Sequence, residues 1–408
     1  MEIKFSRIEV DSKKYLAFMT AIGLVAALAP ASAICLFLEG HRVTNMTNQV
    51  PWGMPIVMAI YLIGASAGSL VLSAMSSVFG RVEFKPFARM AATLAAILIV
   101  AALASIILDW GRPDRLMIPF FHFQPRSVFS LNAILYSSYM LLCLVYLWAM
   151  FNGKKHLERL LGLTAVFLAV LVHSGTGAIF GFVYVRELYG SPLLPPSFIA
   201  AALSSGTALM IIILYYTFRL SGRYLDPRLL TSLGKLMGVF IIVVLYFLFV
   251  ENVTRAYAPA NYEESSFLLL HGGKYTALFW IGLVGLGMIV PMIVGLNQRL
   301  SRNIPLLLGA SVLQLAGVLI ELFIIVIPAQ VFPVELFHDQ EVSSVFLDGQ
   351  FADYSVSLIE WTYSAGMMGA VVFLFALVIR LWPMVPTEAR HLEPEEELAA
   401  EKVEEAAV

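Results

Sequence analysis

The sequence predicts an all-α polytopic membrane protein with ten transmembrane helices, on three grounds: its apolar content, the length of its apolar runs and the sidedness of its basic residues. Hydrophobic residues make up 60% of the 408 and charged residues 13%, with a mean hydropathy of +0.83. A water-soluble chain of this length carries roughly twice the charge. Apolar runs of about 20 residues, the length that crosses a hydrocarbon core as a helix, occur ten times, at approximately 15–37, 54–80, 87–108, 128–151, 159–184, 198–218, 230–252, 275–296, 304–328 and 357–382. Alternation of period two is absent, which argues against an outer-membrane barrel. Of the 26 Lys and Arg residues, seven (Arg42, Arg112, Arg115, Arg126, Arg186, Arg255 and Lys274) fall on one set of alternating segments and 19 on the other. Cytoplasmic loops carry the basic excess, so both termini are predicted cytoplasmic. The net charge of −2 offers no basic surface for nucleic acid.

The first span follows Lys13-Lys14 and contains Ala31-Ser32-Ala33, which resembles a signal peptide with its cleavage site. Its apolar stretch is longer than a signal h-region and continues past that site, so it is read as a retained helix. In the second span Tyr61, Gly64 and Gly68 share a face that admits another helix, or a flat ring, close to the backbone. The third span ends in ILDWGRPDR (106–114) and Arg115. Gly111 and Pro113 supply a helix stop, yet Arg112, Arg115 and Arg126 crowd three of the seven outer basic residues into one loop. That concentration suits a surface that docks a partner or guards a polar pocket.

Asn132, Tyr136 and Tyr139 follow helical spacing in the fourth span, and in the fifth His173, the histidine deep in a span, is continued by Gly177 and Gly181. The seventh span carries Tyr246 and Glu251, the ninth a stripe of Ala310, Gln314, Gly317 and Glu321, and Glu360 opens the tenth. Odd spans run outward and even spans inward. Asp109, Glu251, Glu321, Tyr61, Asn132 and Glu360 therefore all belong to the outer half, with His173 near the middle. An ionisable group at the bilayer centre costs at least ~2.5–3.5 kcal/mol, so each such residue needs a partner or a function. For Asn132, Tyr136 and Gln314 interhelical hydrogen bonding is an equal reading. For Glu251, Glu321 and His173 a proton or substrate route is favoured. Trp52, Trp110, Trp148, Trp361 and Trp382 fall near span ends, at headgroup level. The segment from Pro383 is acidic and read as a solvated extension.

Cys35 and Cys143 lie in separate spans, so neither a disulfide framework nor a cysteine-pair metal site is expected. A membrane haem normally takes two axial histidines on facing helices, and one candidate at depth disfavours it. No P-loop or glycine-rich dinucleotide turn occurs. A quinone head group fits the remaining pattern, because its two carbonyls accept hydrogen bonds from Tyr or His and its redox chemistry exchanges protons with nearby acids. Two other readings stay open: a secondary transporter, which would place polar sites at the midplane with access to both sides, and a purely structural anchor.

Several stretches carry a family resemblance. VPWGMPIVMAIYLIGASAG (50–68), LDWGRPDR (108–115), FQPRSVFSLNA (123–133), HSGTG (173–177) and PLLPPSFIAAALSSGTAL (192–209) resemble, in order and spacing, segments of the NrfD/PsrC family of respiratory membrane subunits. Beyond 210 the resemblance rests on helix count with Glu251 and Glu360. It implies two four-helix bundles, spans 2–5 and 6–9, flanked by spans 1 and 10, as in the ten-helix DsrP/HybB-like branch linked to sulfur metabolism. The implied organisation is 1–53 for the N-terminal segment and first span, 54–184 for a quinone-binding bundle, 198–328 for a second bundle, 329–356 for an outer loop, 357–382 for the tenth span and 383–408 for a cytoplasmic tail. The resemblance places the chain in a bacterial or archaeal cytoplasmic membrane, with menaquinone as bound substrate and no haem or iron–sulfur cluster of its own. An extracytoplasmic ferredoxin-like iron–sulfur subunit, with a c-type cytochrome and further membrane subunits, would be its partners. Carried over, His173 contacts the quinone, Tyr61, Gly64 and Gly68 flank the ring with Asn132 and Tyr136, and Asp109 and Arg112 order the rim. Glu251, Glu321, Glu360 and Gln314 are expected on a proton pathway, and Arg112, Arg115 and Arg126 at the partner surface. The acidic loop 329–356, with Glu335, Asp339, Glu341, Asp348 and Asp353, would add a complementary docking surface.

Overall fold

The computed structural model describes residues 5–8, 12–186, 188–259, 262–334 and 349–387. Among them are ten helices long and apolar enough to cross a membrane: Lys13–Val43, Met54–Val78, Glu83–Asp109, Val128–Phe151, Lys155–Gly181, Leu194–Ser221, Pro227–Tyr257, Lys274–Leu296, Ile304–Val331 and Leu358–Leu381. These are the ten predicted spans, and the chain is an all-α polytopic membrane protein.

The second span is the hub, with 89% of its apolar window buried, against 28% in the fourth and 17% in the first. It packs on the third and fifth spans, the fourth closes the ring between those two, and spans 6, 7, 8 and 9 form a second ring. The sixth span joins the rings by packing against both the second and the fifth, while the tenth lies on the third and second and carries the first on its far side. Small residues set the closest approaches. A Cβ at Gly68 would lie 2.0 Å from the carbonyl oxygen of Ala202, and one at Gly287 would lie 2.5 Å from Cα of Gly317. Lipid supplies no hydrophobic drive between helices, so backbone approach and dispersion at such positions hold the rings together.

Local sequence explains where helices begin and end. Ser127, Asp226, Asn303 and Ser357 cap their helices through side-chain oxygens. The first span breaks at Ala27, where the ring of Pro30 opposes the carbonyl four residues back. The third helix stops at Asp109, and Gly111 then adopts a left-handed φ of 66° that turns the chain into Pro113–Arg115. In the eighth span Leu278–Ile289 is wound as π-helix before the α-helix resumes at Val290.

Loop contacts follow the alternation of spans. On the face carrying residues 110–127, called outer after its sparser basic charge, Asn45 donates to the carbonyl of Ser355, Gln49 to that of Gln350, Arg186 to that of Ala329 and Lys274 to that of Tyr354. On the opposite face Arg89 donates to the carbonyls of Met150 and Pro383, and Arg223 to that of Val385. There Phe5–Ser6 pairs antiparallel with Val385–Pro386. Met384 and Val385 are buried and Thr93 donates to the Met384 sulfur, so the first residues after Pro383 are docked rather than solvated. Residues 388–408 of the tail, and Glu335, Asp339, Glu341 and Asp348 of the outer loop, lie outside the described residues.

Candidate functional site

His173 lies where the second, fifth and sixth spans meet. It is 3% exposed, its Nδ1 is sealed from solvent without a hydrogen-bond partner, and its Nε2 would be 3.6 Å from a Cβ placed on Gly64. A Cβ on Gly64 would thus be in ordinary contact with the imidazole and, at 3.9 Å, with Ala202 Cα, so this face of the helix is close-packed without being overfilled. Tyr61, one turn toward the outer face, is 5% exposed. Gly68 does something else: its face is filled by the backbone of Ala202 and Gly206. The expectation that Gly68 flanks a ring is corrected, because a helix already occupies that side.

Asn132 and Tyr136 tie the fourth span to the fifth. Asn132 Nδ2 donates to the carbonyls of Val128 and Gly175, and the Tyr136 hydroxyl bonds the Thr176 hydroxyl at 2.9 Å. The glycines of HSGTG serve the same packing. A Cβ at Gly175 would meet Asn132 Oδ1 at 2.5 Å, and one at Gly177 would meet Pro195 Cα at 2.6 Å. Above them Trp52, Phe129, Phe180, Tyr189 and Phe198 form an aromatic cluster, with Trp52 edge-on to Phe180 at 5.6 Å and Phe180 5.3 Å from Tyr189. Trp52, at the outer end of the second span, is partly buried and packs one face against this cluster. Burial raises the Tyr189 hydroxyl above its ordinary range, so it stays a donor, to the carbonyl of Val326 at 2.6 Å.

At the rim, Asp109 Oδ1 is buried without a partner. Arg112 is exposed and grips Asp114 through Nε and Nη2, both at 3.0 Å. Its guanidinium holds the Asp114 carboxyl below the usual carboxylate range, chiefly through that hydrogen bond. Arg115 and Arg126 are also exposed. Trp110, Met117, Ile118, Phe121 and Phe123 beside them expose 39%, 56%, 47%, 79% and 43% of their surface, an apolar patch with basic edges of the kind that marks an interaction site.

The second bundle holds a cleft of about 490 Å³, open solvent included, whose walls include Leu194, Ser197, Asn252 and Phe279. Glu251, Arg255 and Glu321 all reach it. Glu251 and Arg255 form an ion pair at 2.7 Å, and Arg255 Nη2 also donates to the carbonyl of Leu188. Oε2 of Glu321 is buried without a partner. Gln314 lies deeper, its Nε2 donating to Ser204 of the sixth span while its Oε1 stays unpaired.

Glu360 departs from the expected proton pathway. Fully buried, it accepts from Met54 N at 3.1 Å, Tyr354 O–H at 2.7 Å, Ser357 N at 2.9 Å and Ser357 O–H at 2.8 Å. One carboxylate thus caps the second span and closes a capping box on the tenth. A Cβ at Gly53 would lie 2.5 Å from its Oε1, which fixes glycine there. The sequence carried that signal in Ser357-x-x-Glu360. Arg255 was legible as a partner from its place one turn after Glu251, whereas Tyr354 and Gln330, which bonds both N–H and carbonyl of Trp52, gave no local sign.

Comparison with known proteins adds a family match and three relatives. The model of the family described as polysulphide reductase, NrfD, matches residues 42–335. The chain is 39% identical over 394 residues to the Hdr-like menaquinol oxidoreductase integral membrane subunit of Archaeoglobus fulgidus, covering 95% of this chain and 98% of that protein. It is 30% identical to a selenate reductase subunit of Mesobacillus selenatarsenatis over 90% and 94% of the two chains, and 21% identical to the menaquinone reductase integral membrane subunit of Nitratidesulfovibrio vulgaris over 92% and 93%.

Proposed function

The chain belongs to the polysulphide reductase NrfD family, and from that membership and the geometry of its buried imidazole we propose that it is the quinone-interacting membrane subunit of a respiratory oxidoreductase complex. It exchanges electrons between the membrane quinone pool and an iron–sulfur partner on the outer face. The observation that carries this reading is His173 itself, a buried imidazole where three spans meet, whose Nδ1 has no partner while its Nε2 faces Gly64. A buried imidazole with an unpartnered nitrogen suits an uncharged ring carrying a carbonyl or hydroxyl, since a buried donor or acceptor without a partner costs about 1–3 kcal/mol and a ligand oxygen relieves it. Two relatives are named for menaquinol or menaquinone, which supports menaquinone as the substrate. Family membership displaces the secondary-transporter reading.

In this proposal His173 donates to or accepts from a quinone oxygen, Tyr61 supplies a second hydroxyl, and Gly64 keeps a side chain off the imidazole edge. The quinone supplies two-electron, two-proton chemistry. The aromatic cluster around Trp52 and Phe180 keeps water from the outer end of the pocket, and the patch of Arg112, Arg115, Arg126 and the exposed aromatics receives the redox partner. Glu251 and Glu321 conduct protons through their cleft. The test is quinol-linked turnover of the assembled complex carrying His173→Phe: a loss of about a hundredfold or more with normal assembly is expected, and unchanged turnover removes His173 from the site.

A further inference from the structure

The turn between the fifth and sixth spans ties the two bundles together. Arg255, in the last turn of the seventh span, pairs with Glu251 at 2.7 Å, and through the same Nη2 it donates to the Leu188 carbonyl at 2.8 Å. Its Nε stays unpaired and sealed from solvent, so the guanidinium is aimed at the turn at the expense of its other edge. The next residue, Tyr189, is buried, and its hydroxyl donates to the Val326 carbonyl of the ninth span at 2.6 Å. Arg186 holds the near side of the turn. It donates to the carbonyls of Ala329 at 2.9 Å and Gln330 at 3.2 Å, and its own carbonyl accepts from Tyr189 N at 2.9 Å. Side-chain hydrogen bonds thus fix this turn to the seventh and ninth spans of the second bundle.

The Tyr189 ring meets the first bundle. Its centroid lies 5.3 Å from that of Phe180 and 6.3 Å from that of Trp52. A Cβ at Gly181 would lie 2.6 Å from the Ser191 carbonyl oxygen, so the chain just after Tyr189 is pressed against the end of the fifth span. Phe180 follows His173 by seven residues in that helix, which puts it on the same face about 10 Å farther out. Gln330 closes the circuit, accepting from Trp52 N and donating to the carbonyls of Trp52 and Val326. Each step from the Arg255 guanidinium to Phe180 is therefore a hydrogen bond, a peptide bond or a ring contact.

We propose that Arg255 is a positioning residue for the quinone pocket: by holding the Leu188 carbonyl it sets Tyr189 against Phe180 and Trp52, so that the second bundle fixes how firmly the outer end of the first is closed. The inference rests on the quinone reading above. Arg255 acts through the turn and not on the ring. A guanidinium suits the task, because its planar fork serves a carboxylate and a carbonyl together in one fixed geometry. Without that bond Tyr189 keeps its hydroxyl partner but loses the restraint on its own backbone, and the aromatic cover above His173 loosens.

The test uses the assembled complex in a Glu251→Gln background, so that no buried carboxylate loses its partner, carrying Arg255→Gln, Tyr189→Phe, both together, or His173→Phe. Two quantities are measured: quenching of a fluorescent menaquinol analogue on binding, and hydrogen exchange of the 188–193 amides by mass spectrometry. Arg255→Gln should weaken analogue binding about fivefold, the worth of one buried hydrogen bond, and speed exchange of those amides about tenfold. Tyr189→Phe should weaken binding several-fold alone but less than about twofold further when added to Arg255→Gln, whereas a role in overall stability would make the two losses multiply. Binding within about twofold of the background in Arg255→Gln, exchange at the background rate, or losses that multiply overturns this inference alone when His173→Phe still binds weakly. Undiminished binding in His173→Phe overturns the pocket reading and this inference with it.

Discussion

The two bundles differ in the charge they bury. In the first, hydroxyls and amides bond across helices, Tyr136 with Thr176, Asn132 Nδ2 with the Gly175 carbonyl and Tyr139 with Ser66, while Asn132 Oδ1 stays unpaired. The imidazole of His173 stands apart, buried with Nδ1 unpartnered and with Gly64 against its Nε2 edge. In the second, charge is concentrated. Glu251, Arg255 and Glu321 share an open cleft, and Gln314 below them keeps a free oxygen. A buried imidazole suits an uncharged ring, while paired carboxylates within the helices suit protons. On the proposed reading, the ring belongs to the first bundle and proton movement to the second.

Substitutions that exchange the characters of the two regions should break this assignment. The largest effect is expected at the glycines. Gly68→Ala places a Cβ 2.0 Å from the Ala202 carbonyl and should abolish folded protein in the membrane, scored by detergent-stable yield. Gly64→Ala meets its nearest atom at 3.6 Å, an ordinary contact, so it should fold normally and raise KM for the quinol about tenfold by setting a methyl against the imidazole edge. Equal yields for the two variants would dissolve the distinction between a helix crossing and a ligand contact.

Next comes the contrast between the glutamates. Glu360→Gln removes the charge that holds four donors and should lower stability by about 3 kcal/mol, read as a fall in the thermal midpoint of the purified complex. Glu321→Gln leaves an unpaired oxygen no worse placed and should not lower that midpoint, while slowing proton uptake in vesicles. The reverse ranking would return Glu360 to the proton route and make Glu321 a packing residue.

The ten spans were legible because a bilayer forces an apolar run of fixed length on any helix that crosses it; the predicted 54–80 and 275–296 became Met54–Val78 and Lys274–Leu296. The division between Gly64 and Gly68 was not legible. Both sit on one face of one helix, one turn apart, and only the path of the sixth span decides which of them receives backbone. The cap that Glu360 makes was legible in a local pattern, Ser-x-x-Glu, alongside its expectation on a proton pathway.

The smallest effect belongs to the rim. Arg112→Gln with Arg115→Gln should weaken partner association several-fold at low salt and progressively less as salt rises, measured by co-purification across a salt series. The Asp114 carboxyl is lowered by Arg112, so the contribution of their pair is present above the ordinary carboxylate range and is lost as pH falls through the lowered value. Partner association should accordingly be flat across neutral pH. A salt-independent loss would point to folding of the 110–127 loop instead of docking.

The most direct measurement is equilibrium binding of a fluorescent hydroxyquinoline N-oxide, a menaquinol analogue, to the purified complex. Quenching should saturate at one site in the parent and in Glu251→Gln and Glu321→Gln, and should weaken by at least about tenfold in His173→Phe and Gly64→Leu. Binding that survives in the first-bundle variants and disappears in the second-bundle ones would contradict the assignment and move the ring to the Glu251–Glu321 cleft.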